Sequence, residues 1–260
     1  MMRSATVRAL AAASALAHAL FAPVSAAKGW EEIRALGEIT VCANPNALPY
    51  ASDKEETPGF QIEIARAIAQ RLGVRLRPQW IVPRVRAGLV DCDLLMDTIL
   101  VGGVQPPSLK LSVPYHRSGV SLAFAPGRDP VSSYAELKRG SRVGVLHNSL
   151  ASLIVSRTPA TMVPFGFEDD MLEALAKGEV DAGAVSAAAA GYFNLRNPAR
   201  RLTLVHAEDS QPELQWTVGI GMRRADDALV ENINRALAAL LADGTVAAIY
   251  ARYGVTHRTP

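Results

Sequence analysis

The residue types that carry most enzyme chemistry are present in this chain but are not arranged for catalysis. Asp169 and Asp170 stand together, a pattern typical of the first turn of a helix rather than of an acid–base pair. The sequence contains neither G-x-S-x-G nor H-E-x-x-H, and its cysteines and histidines lack the spacing of a zinc site. The histidines beyond residue 26 are scattered, at His116, His147, His206 and His257. We therefore expect no catalytic residue, no metal and no cofactor, and a protein that is not an enzyme.

Three aromatic residues lie near the ends of predicted elements, where a binding cleft would form. Tyr50 follows a proline on the loop after the first strand, at the edge where open α/β sheets bind ligands. Phe60 begins the first helix, and Trp80 ends the second strand. We interpret all three as candidates for the cleft. The alternatives are loop packing for Tyr50, a place in the core for Phe60 and a buried structural indole for Trp80.

Polar side chains follow two further strands. Asp97 and Thr98 come directly after the third strand, where a role in the cleft competes with a role in capping the next element. His147, Asn148 and Ser149 form a strand-to-helix loop, whose backbone N–H groups are suited to an anion. Any polar loop at this place would have a similar composition. We interpret all five as candidate cleft residues.

Apolar periodicity predicts alternating short strands and helices, the pattern of α/β layers with largely parallel sheets. Strands are predicted at 39–42, 74–80, 93–96, 119–124, 142–146, 180–185 and 215–222. Helices are predicted at 60–72, 168–177, 187–193 and 226–242. The elements form two α/β cycles, and segments 119–124 and 215–219 are candidates for a pair of strands that crosses between them.

The first 26 residues have the pattern of a cleaved secretory signal. Arg3 and Arg8 give a basic start, residues 9–21 are apolar, and Val24-Ser25-Ala26 ends the segment with small residues. The apolar run is shorter than the roughly 20 residues that span a bilayer, so a membrane anchor is not expected. Removing two arginines lowers the formal charge from +2 to zero. A neutral mature chain argues against nucleic acid and against a charged membrane surface as partners.

Two cysteines, Cys42 and Cys92, remain in the mature chain. In an oxidising compartment an even count favours a disulfide, and two buried free thiols are the alternative. Cys42 lies late in its predicted strand and Cys92 lies just before its own. Because this offset separates the two residues along the sheet, it weakens the case for a bridge, which needs Cα atoms within about 7 Å.

Several motifs in order along the mature chain resemble those of the extracellular solute-binding proteins of family 3. They are Leu48-Pro49-Tyr50, the run 59–65, Gly88 to Asp93, Ser112-Val113-Pro114-Tyr115, Gly178 to Ala182, and the ending 243–254. The resemblance implies an α/β, two-lobed type II periplasmic binding fold, with a mostly parallel sheet flanked by helices in each lobe and a periplasmic location. Lobe 1 is expected to contain residues 27–118 and 220–260. Lobe 2 is expected at 119–219, with a hinge strand at each end.

The chain departs from that family where its amino-acid receptors hold their ligand. The arginine that clamps the ligand carboxylate, ten residues before the tyrosine that matches Tyr115, is replaced by Gln105. Two threonines upstream are replaced by Leu100 and Gly102, and the aspartate that pairs the ligand's ammonium group is matched by Ser186. Both charges of a zwitterion thereby lose their partners, and burial of an unpaired charge is unfavourable. We therefore expect no positive group in the cleft, and Gln105 and Ser186 are added to the candidate cleft residues.

Within the family, the chain is most similar to the MxaJ/XoxJ-like proteins that accompany quinoprotein methanol dehydrogenases. The similarity lies in Val41 to Asn46 with Leu48-Pro49-Tyr50, in Cys92-Asp93 and in the run Pro114 to Ser118. It implies a non-catalytic periplasmic partner of a dehydrogenase that uses pyrroloquinoline quinone, or of its cytochrome. One alternative is the receptor of an ABC importer, with a permease partner and a small polar, non-zwitterionic solute. The other is an enzyme similar to cyclohexadienyl dehydratase, which Gln105 argues against.

Overall fold

A computed structural model describes residues 29–81, 92–100 and 109–260. The expected signal segment and Gln105 lie outside these residues. Seven α-helices occur in the described ranges, α1 to α7: Trp30–Leu36, Phe60–Arg71, Leu150–Val155, Glu168–Ala176, Ala187–Arg196, Asp227–Ala242 and Thr245–Arg252. None of them is long and apolar enough to cross a membrane. The same ranges contain twelve strands, β1 to β12: Glu38–Ala43, Asn46–Ala47, Ala51–Ser52, Arg75–Trp80, Leu94–Leu100, Leu109–Leu111, His116–Phe124, Arg142–Leu146, Thr161–Phe165, Ala182–Ser186, Thr203–Val205 and Gln215–Arg223.

Local chemistry explains where the helices start. Asp226 caps α6 by accepting a hydrogen bond from the backbone N–H of Leu229 at 2.7 Å. Ser186 caps α5 in the same way through the N–H of Ala189 at 3.1 Å. The helix α6 was predicted from its apolar stripe, and Leu229 and the other buried residues of that stripe pack into the core of lobe 1.

Ten of the described strands form one continuous mixed sheet, in the order β4-β1-β5-β12-β7-β10-β8-β9, with β6 beside β12 and β11 beside β7. The strands β2 and β3 form a separate pair. The outer strands are parallel in both lobes: β1 pairs with β4 and β5, and β8 pairs with β9 and β10. The central pairings of β12 with β5 and β7, and of β7 with β10, are antiparallel. Helices flank this sheet, so the expected two-lobed α/β fold of the type II periplasmic binding proteins is confirmed.

Two strands connect the lobes, and their pairing differs from the prediction. The start of β7 pairs with the start of β12, so that Gly119 faces Gln215 and His116 faces Val218. Residues 120–124, which the sequence assigned to the crossover, pair instead with β10 inside lobe 2. The strand β7 therefore runs from the hinge into lobe 2, and the crossover pair begins at His116.

The buried apolar residues form separate clusters in the two lobes. One apolar cluster surrounds α2, α6 and α7 in lobe 1 and takes in Ala188 from the start of α5. Two further clusters cover the opposite faces of the lobe 2 sheet. The exact lobe boundaries at 118/119 and 219/220 stay a prediction.

A disulfide joins Cys42 and Cys92, with Cα atoms 5.6 Å apart. The strand β5 lies beside β1, and Val41 faces Leu94 across the pair. The chain just before β5 therefore passes close to the end of β1, which removes the offset inferred from the sequence. The bridge is confirmed, and the alternative of free thiols is wrong.

Candidate functional site

A cavity of about 190 Å³ lies where the two hinge strands meet the carboxyl ends of lobe 1 strands. Lobe 1 contributes Tyr50, Phe60 and Asp97 to its wall, and lobe 2 contributes the start of α5 and Glu208. A wider groove of about 400 Å³ opens between residues 45–54 and the helices α4 and α5. We place the candidate site in the smaller cavity, because buried aromatic and charged side chains from both lobes and the hinge converge there.

Tyr50 and Phe60 reach the cavity because the loop after β1 packs tightly on the start of α2. A Cβ atom on Gly59 would lie 2.4 Å from the backbone oxygen of Tyr50, and the φ of Gly59 is +89°. Only glycine allows this approach. It brings the rings of Tyr50 and Phe60 within 5.0 Å, centroid to centroid. Phe60 is also buried in the core of lobe 1, and its role in binding stays a prediction.

The strand β5 places Asp97 in the cavity and Thr98 on the other face of the sheet. Side chains alternate along a strand, and Asp97 and Ile99 line the cavity wall. The Thr98 hydroxyl donates a hydrogen bond to the carbonyl of Leu95 at 3.2 Å and lies close to Gly221. In the described part of the chain, no donor lies within hydrogen-bond distance of the exposed Asp97 carboxylate.

Stacked rings form the side of the cavity nearest the hinge. His116 stacks on Tyr250 at 4.6 Å, and Tyr250 lies 4.6 Å from Phe60, between ring centroids. Burial and the nearby His257 and Arg258 lower the pKa of His116 to about 4, so its imidazole is neutral at pH 7. Burial, together with the nearby Glu168 and Asp97, raises the pKa of Tyr50 to about 12.

Two guanidinium groups, those of Arg117 and Arg258, line the cavity. The expectation that the cleft lacks positive groups is therefore wrong. Arg258 belongs to the C-terminal segment, which lies along β7: the N–H of Arg117 donates to the carbonyl of Arg258 at 2.9 Å. Motif comparison at single positions missed Arg258, because its place depends on how the last residues return to the hinge.

Acidic side chains already neutralise these guanidinium groups. Arg258 donates to Glu208 at 2.8 Å and to both carboxylate oxygens of Asp209 at 2.6 Å. The Nη2 atom of Arg117 lies 3.9 Å from Asp209, and its buried Nε atom has no partner among the described residues. His206 lies between the two partners, with its Nδ1 atom 2.9 Å from Glu208 and 3.1 Å from Arg258.

Glu208 is only 1% exposed, and Gly119 makes room for it. A Cβ atom on Gly119 would lie 2.6 Å from Cγ of Glu208 and 2.5 Å from the carbonyl oxygen of Leu214. Burial by itself would raise the pKa of Glu208, but hydrogen bonds with His206, the backbone and Ser121 outweigh burial and lower it. The group is therefore an anion that the structure supports from several sides.

Ser186 lies at the contact between the lobes and is bound to an acid that sequence reasoning missed. Its N–H and hydroxyl donate to Glu168, at 2.5 and 3.1 Å. Burial raises the pKa of Glu168 despite these two bonds. Tyr50 from lobe 1 interacts with the Ser186 side chain. A carboxyl group thus stands beside the position where the family's aspartate is replaced, but it comes from a different helix.

The other predicted cleft residues lie away from the described cavity wall. Trp80 ends the edge strand β4 and is 40% exposed. Ser149 caps the short helix α3 by accepting a hydrogen bond from the N–H of Ser152, and His147 and Asn148 are exposed beside it. These three residues therefore form a capped loop end in the structure. No group of three potential metal ligands occurs among the residues that the structure describes.

Comparisons with known proteins agree with this geometry. The histidine-binding periplasmic protein of Salmonella typhimurium is 24% identical over 229 residues, covering 83% of this chain and 87% of that protein. The unliganded, open L-cystine solute receptor of Neisseria gonorrhoeae has a TM-score of 0.71 at 20% identity, covering 88% of this chain and 98% of the receptor. XoxJ from Methylobacterium extorquens AM1 has a TM-score of 0.64 at 21% identity, covering 85% of this chain and all of XoxJ, 100%.

The match to a family model spans most of the chain, residues 39–256. It includes both lobes, the two hinge strands and the disulfide. The chain belongs to the bacterial extracellular solute-binding proteins, family 3.

Proposed function

We propose that this chain is the non-catalytic, periplasmic solute-binding component of an ABC importer, and that it binds a small polar solute. The observation that carries the proposal is the cavity of about 190 Å³ whose wall is built by both lobes and the hinge. A solute in such a cavity contacts both lobes at once, so binding favours the closed arrangement. The histidine-binding periplasmic relative supports both the role and the location.

The proposed solute is not an ordinary zwitterionic amino acid. A carboxylate needs a donor that is free to form a bidentate pair. In the described wall, Arg258 already donates to Glu208 and Asp209. Arg117 forms an ion pair with Asp209 at 3.9 Å, and its Nε atom is buried. Tyr50, Phe60 and Asp97 stay proposed binding residues.

Thermal-shift and calorimetric screening tests this function. The panel contains amino acids, amines, alcohols and sugars, and a solute at 100 times its Kd should stabilise the fold by about 2.7 kcal/mol. This corresponds to a shift in Tm of about 5–11 °C for a chain of this size. The variant Ala187→Phe, which fills the cavity wall, should abolish the shift, whereas Ala238→Phe on the exposed face of α6 should not. Absence of any shift across the whole panel would contradict the proposal.

A second candidate function is that of an accessory protein of a quinoprotein dehydrogenase or its cytochrome. The similarity of the opening motif and of Pro114 to Ser118 to the MxaJ/XoxJ-like proteins supports it, and the fold of XoxJ is compatible with it. Co-purification with a methanol dehydrogenase that contains pyrroloquinoline quinone, without any solute-induced shift in Tm, would favour this candidate. A solute-induced shift without co-purification would favour the importer receptor.

A further inference from the structure

Asp97 is the charged group of the cavity that has no counter-ion in the described part of the chain. It is exposed, it lines the wall, and no cation or hydrogen-bond donor from residues 29–81, 92–100 or 109–260 is paired with it. The hydroxyl of the neighbouring Tyr115 does not compensate it, because it donates to the carbonyl of Met96 at 2.5 Å. A solute that enters the cavity therefore meets an uncompensated carboxylate.

The guanidinium groups of the same wall already form ion pairs with carboxylates of the protein. Arg258 is shared between Glu208 and Asp209. The Nη2 atom of Arg117 lies 3.9 Å from Asp209, close enough for an ion pair, and the buried Nε atom of Arg117 has no partner among the described residues. The low pKa of His116, about 4, keeps that imidazole neutral. A carboxylate on the solute would compete with Glu208 and Asp209 for these groups, whereas no described residue competes with a cation for Asp97.

Aromatic rings line the same cavity as Asp97, and those of Tyr50 and Tyr115 lie near enough to feel its charge. Tyr50, Phe60, Tyr115 and Trp216 all line the wall. A cation within about 6 Å of such a ring gains further attraction from the negative face of the π-system, and this gain is larger where water is excluded. Rings combined with one carboxylate are a suitable site for an organic ammonium group.

We infer that the solute is a small organic cation without a carboxylate, held by Asp97 against the aromatic wall. The inference rests on the proposed function, because it names the class of solute that the same cavity binds. The space of about 190 Å³ is equal to about six water molecules at about 30 Å³ each, so the cation is small. In this proposal the cavity distinguishes solutes by their positive charge and not only by their hydrogen bonds and shape.

The test uses choline and n-butylammonium as cations, 3,3-dimethyl-1-butanol as the neutral isostere of choline, and L-histidine as a zwitterion. Calorimetry on the full mature protein should show that choline or n-butylammonium binds at least tenfold more tightly than the neutral isostere. Asp97→Asn should weaken n-butylammonium binding about 10- to 100-fold, the loss expected for a charged hydrogen-bonded pair, and should weaken choline binding through the loss of charge attraction alone. Asp97→Glu should recover part of the affinity.

Asp129→Asn is the matched control, since Asp129 is an exposed aspartate at the far end of lobe 2. It should leave cation binding unchanged. Equal binding of choline and its neutral isostere, tight binding of L-histidine that Asp97→Asn leaves intact, or failure of both cations while other solutes bind would each overturn the inference alone. If no solute of any class binds, the proposed function fails with it.

Discussion

The ion pairs of Arg258 at the hinge should be essential for stability. In the variant Arg258→Met, Glu208 loses its guanidinium partner at 2.8 Å. Glu208 is 1% exposed and the Arg258 side chain only 12%, so water cannot replace the lost partner. An anion left without compensation inside a protein is strongly unfavourable.

The burial of this ion pair sets the expected loss in the free energy of unfolding. Removal of one member of a buried ion pair typically lowers the free energy of unfolding by about 3–5 kcal/mol. The contact with Asp209 adds little, because the Asp209 side chain is 46% exposed. The Nδ1 atom of His206 stays 2.9 Å from Glu208 and, in the tautomer that carries its proton there, donates to that carboxylate. We therefore expect the free energy of unfolding to fall by about 3 kcal/mol, the lower end of this range.

A double-mutant cycle separates this effect from a simple loss of packing. Glu208→Gln in the Arg258→Met background removes the stranded charge and should recover most of the lost free energy. Arg252→Met is the matched control: Arg252 pairs with Glu63 inside lobe 1, but its side chain is 56% exposed. A surface pair of this kind contributes about 0–1 kcal/mol.

Urea unfolding at pH 7 measures four variants by linear extrapolation: Arg258→Met, Glu208→Gln, the double variant of these two, and Arg252→Met. The reasoning is refuted if Arg258→Met loses no more free energy than Arg252→Met. It is equally refuted if the double variant is as unstable as Arg258→Met, because the loss would then come from packing and not from the charge of Glu208.

Two further predictions concern stability. Replacing both Cys42 and Cys92 with alanine opens a loop of 50 residues, for which chain entropy gives a loss of about 4 kcal/mol, and calorimetry should show Tm lower by about 8–16 °C. A loss below about 1 kcal/mol would contradict it. The raised pKa of Glu168 means that the folded state holds a proton to higher pH than the unfolded state, so this group's contribution to stability falls as pH rises above about 4.5. Glu168→Gln should remove that decline in urea midpoints measured from about pH 4 to pH 8, and a parallel pH dependence in both proteins would contradict it.

The fold was largely predictable because its signals are local. The strand Arg142–Leu146 has the predicted bounds, and α6 follows directly from its cap and apolar stripe. The crossover was not placed correctly, because the apolar run 119–124 is equally suited to a hinge or to the interior of a sheet. Only the partner strand decides, and β10 supplies it.

The candidate site was predictable only where position along the chain fixes position in space. The rule that ligands bind at strand ends led to Tyr50 and Asp97, which the structure places in one cavity, although β5 continues past Asp97 to Leu100 and does not end before it as predicted. It did not separate Asp97 from Thr98, since neighbours on a strand face opposite sides and the sequence leaves the register open by one residue. Glu208 and Arg258 lie 50 residues apart and meet through the return of the C-terminal segment to the hinge, which no local pattern encodes.

The charge of the cavity is set by every charged side chain that lines it, including those from positions that are not ligand-binding positions in the family. Gln105 and Ser186 replace the family's arginine and aspartate, which suggested a cleft without charge. The structure instead contains guanidinium groups from the hinge and from the C-terminal segment, and carboxyl groups from β5 and α4. In the described wall, Glu208 and Asp209 pair with the guanidinium groups, while Asp97 stays unpaired. The proposed preference for a cation rests on this unpaired carboxylate and not on the replaced positions.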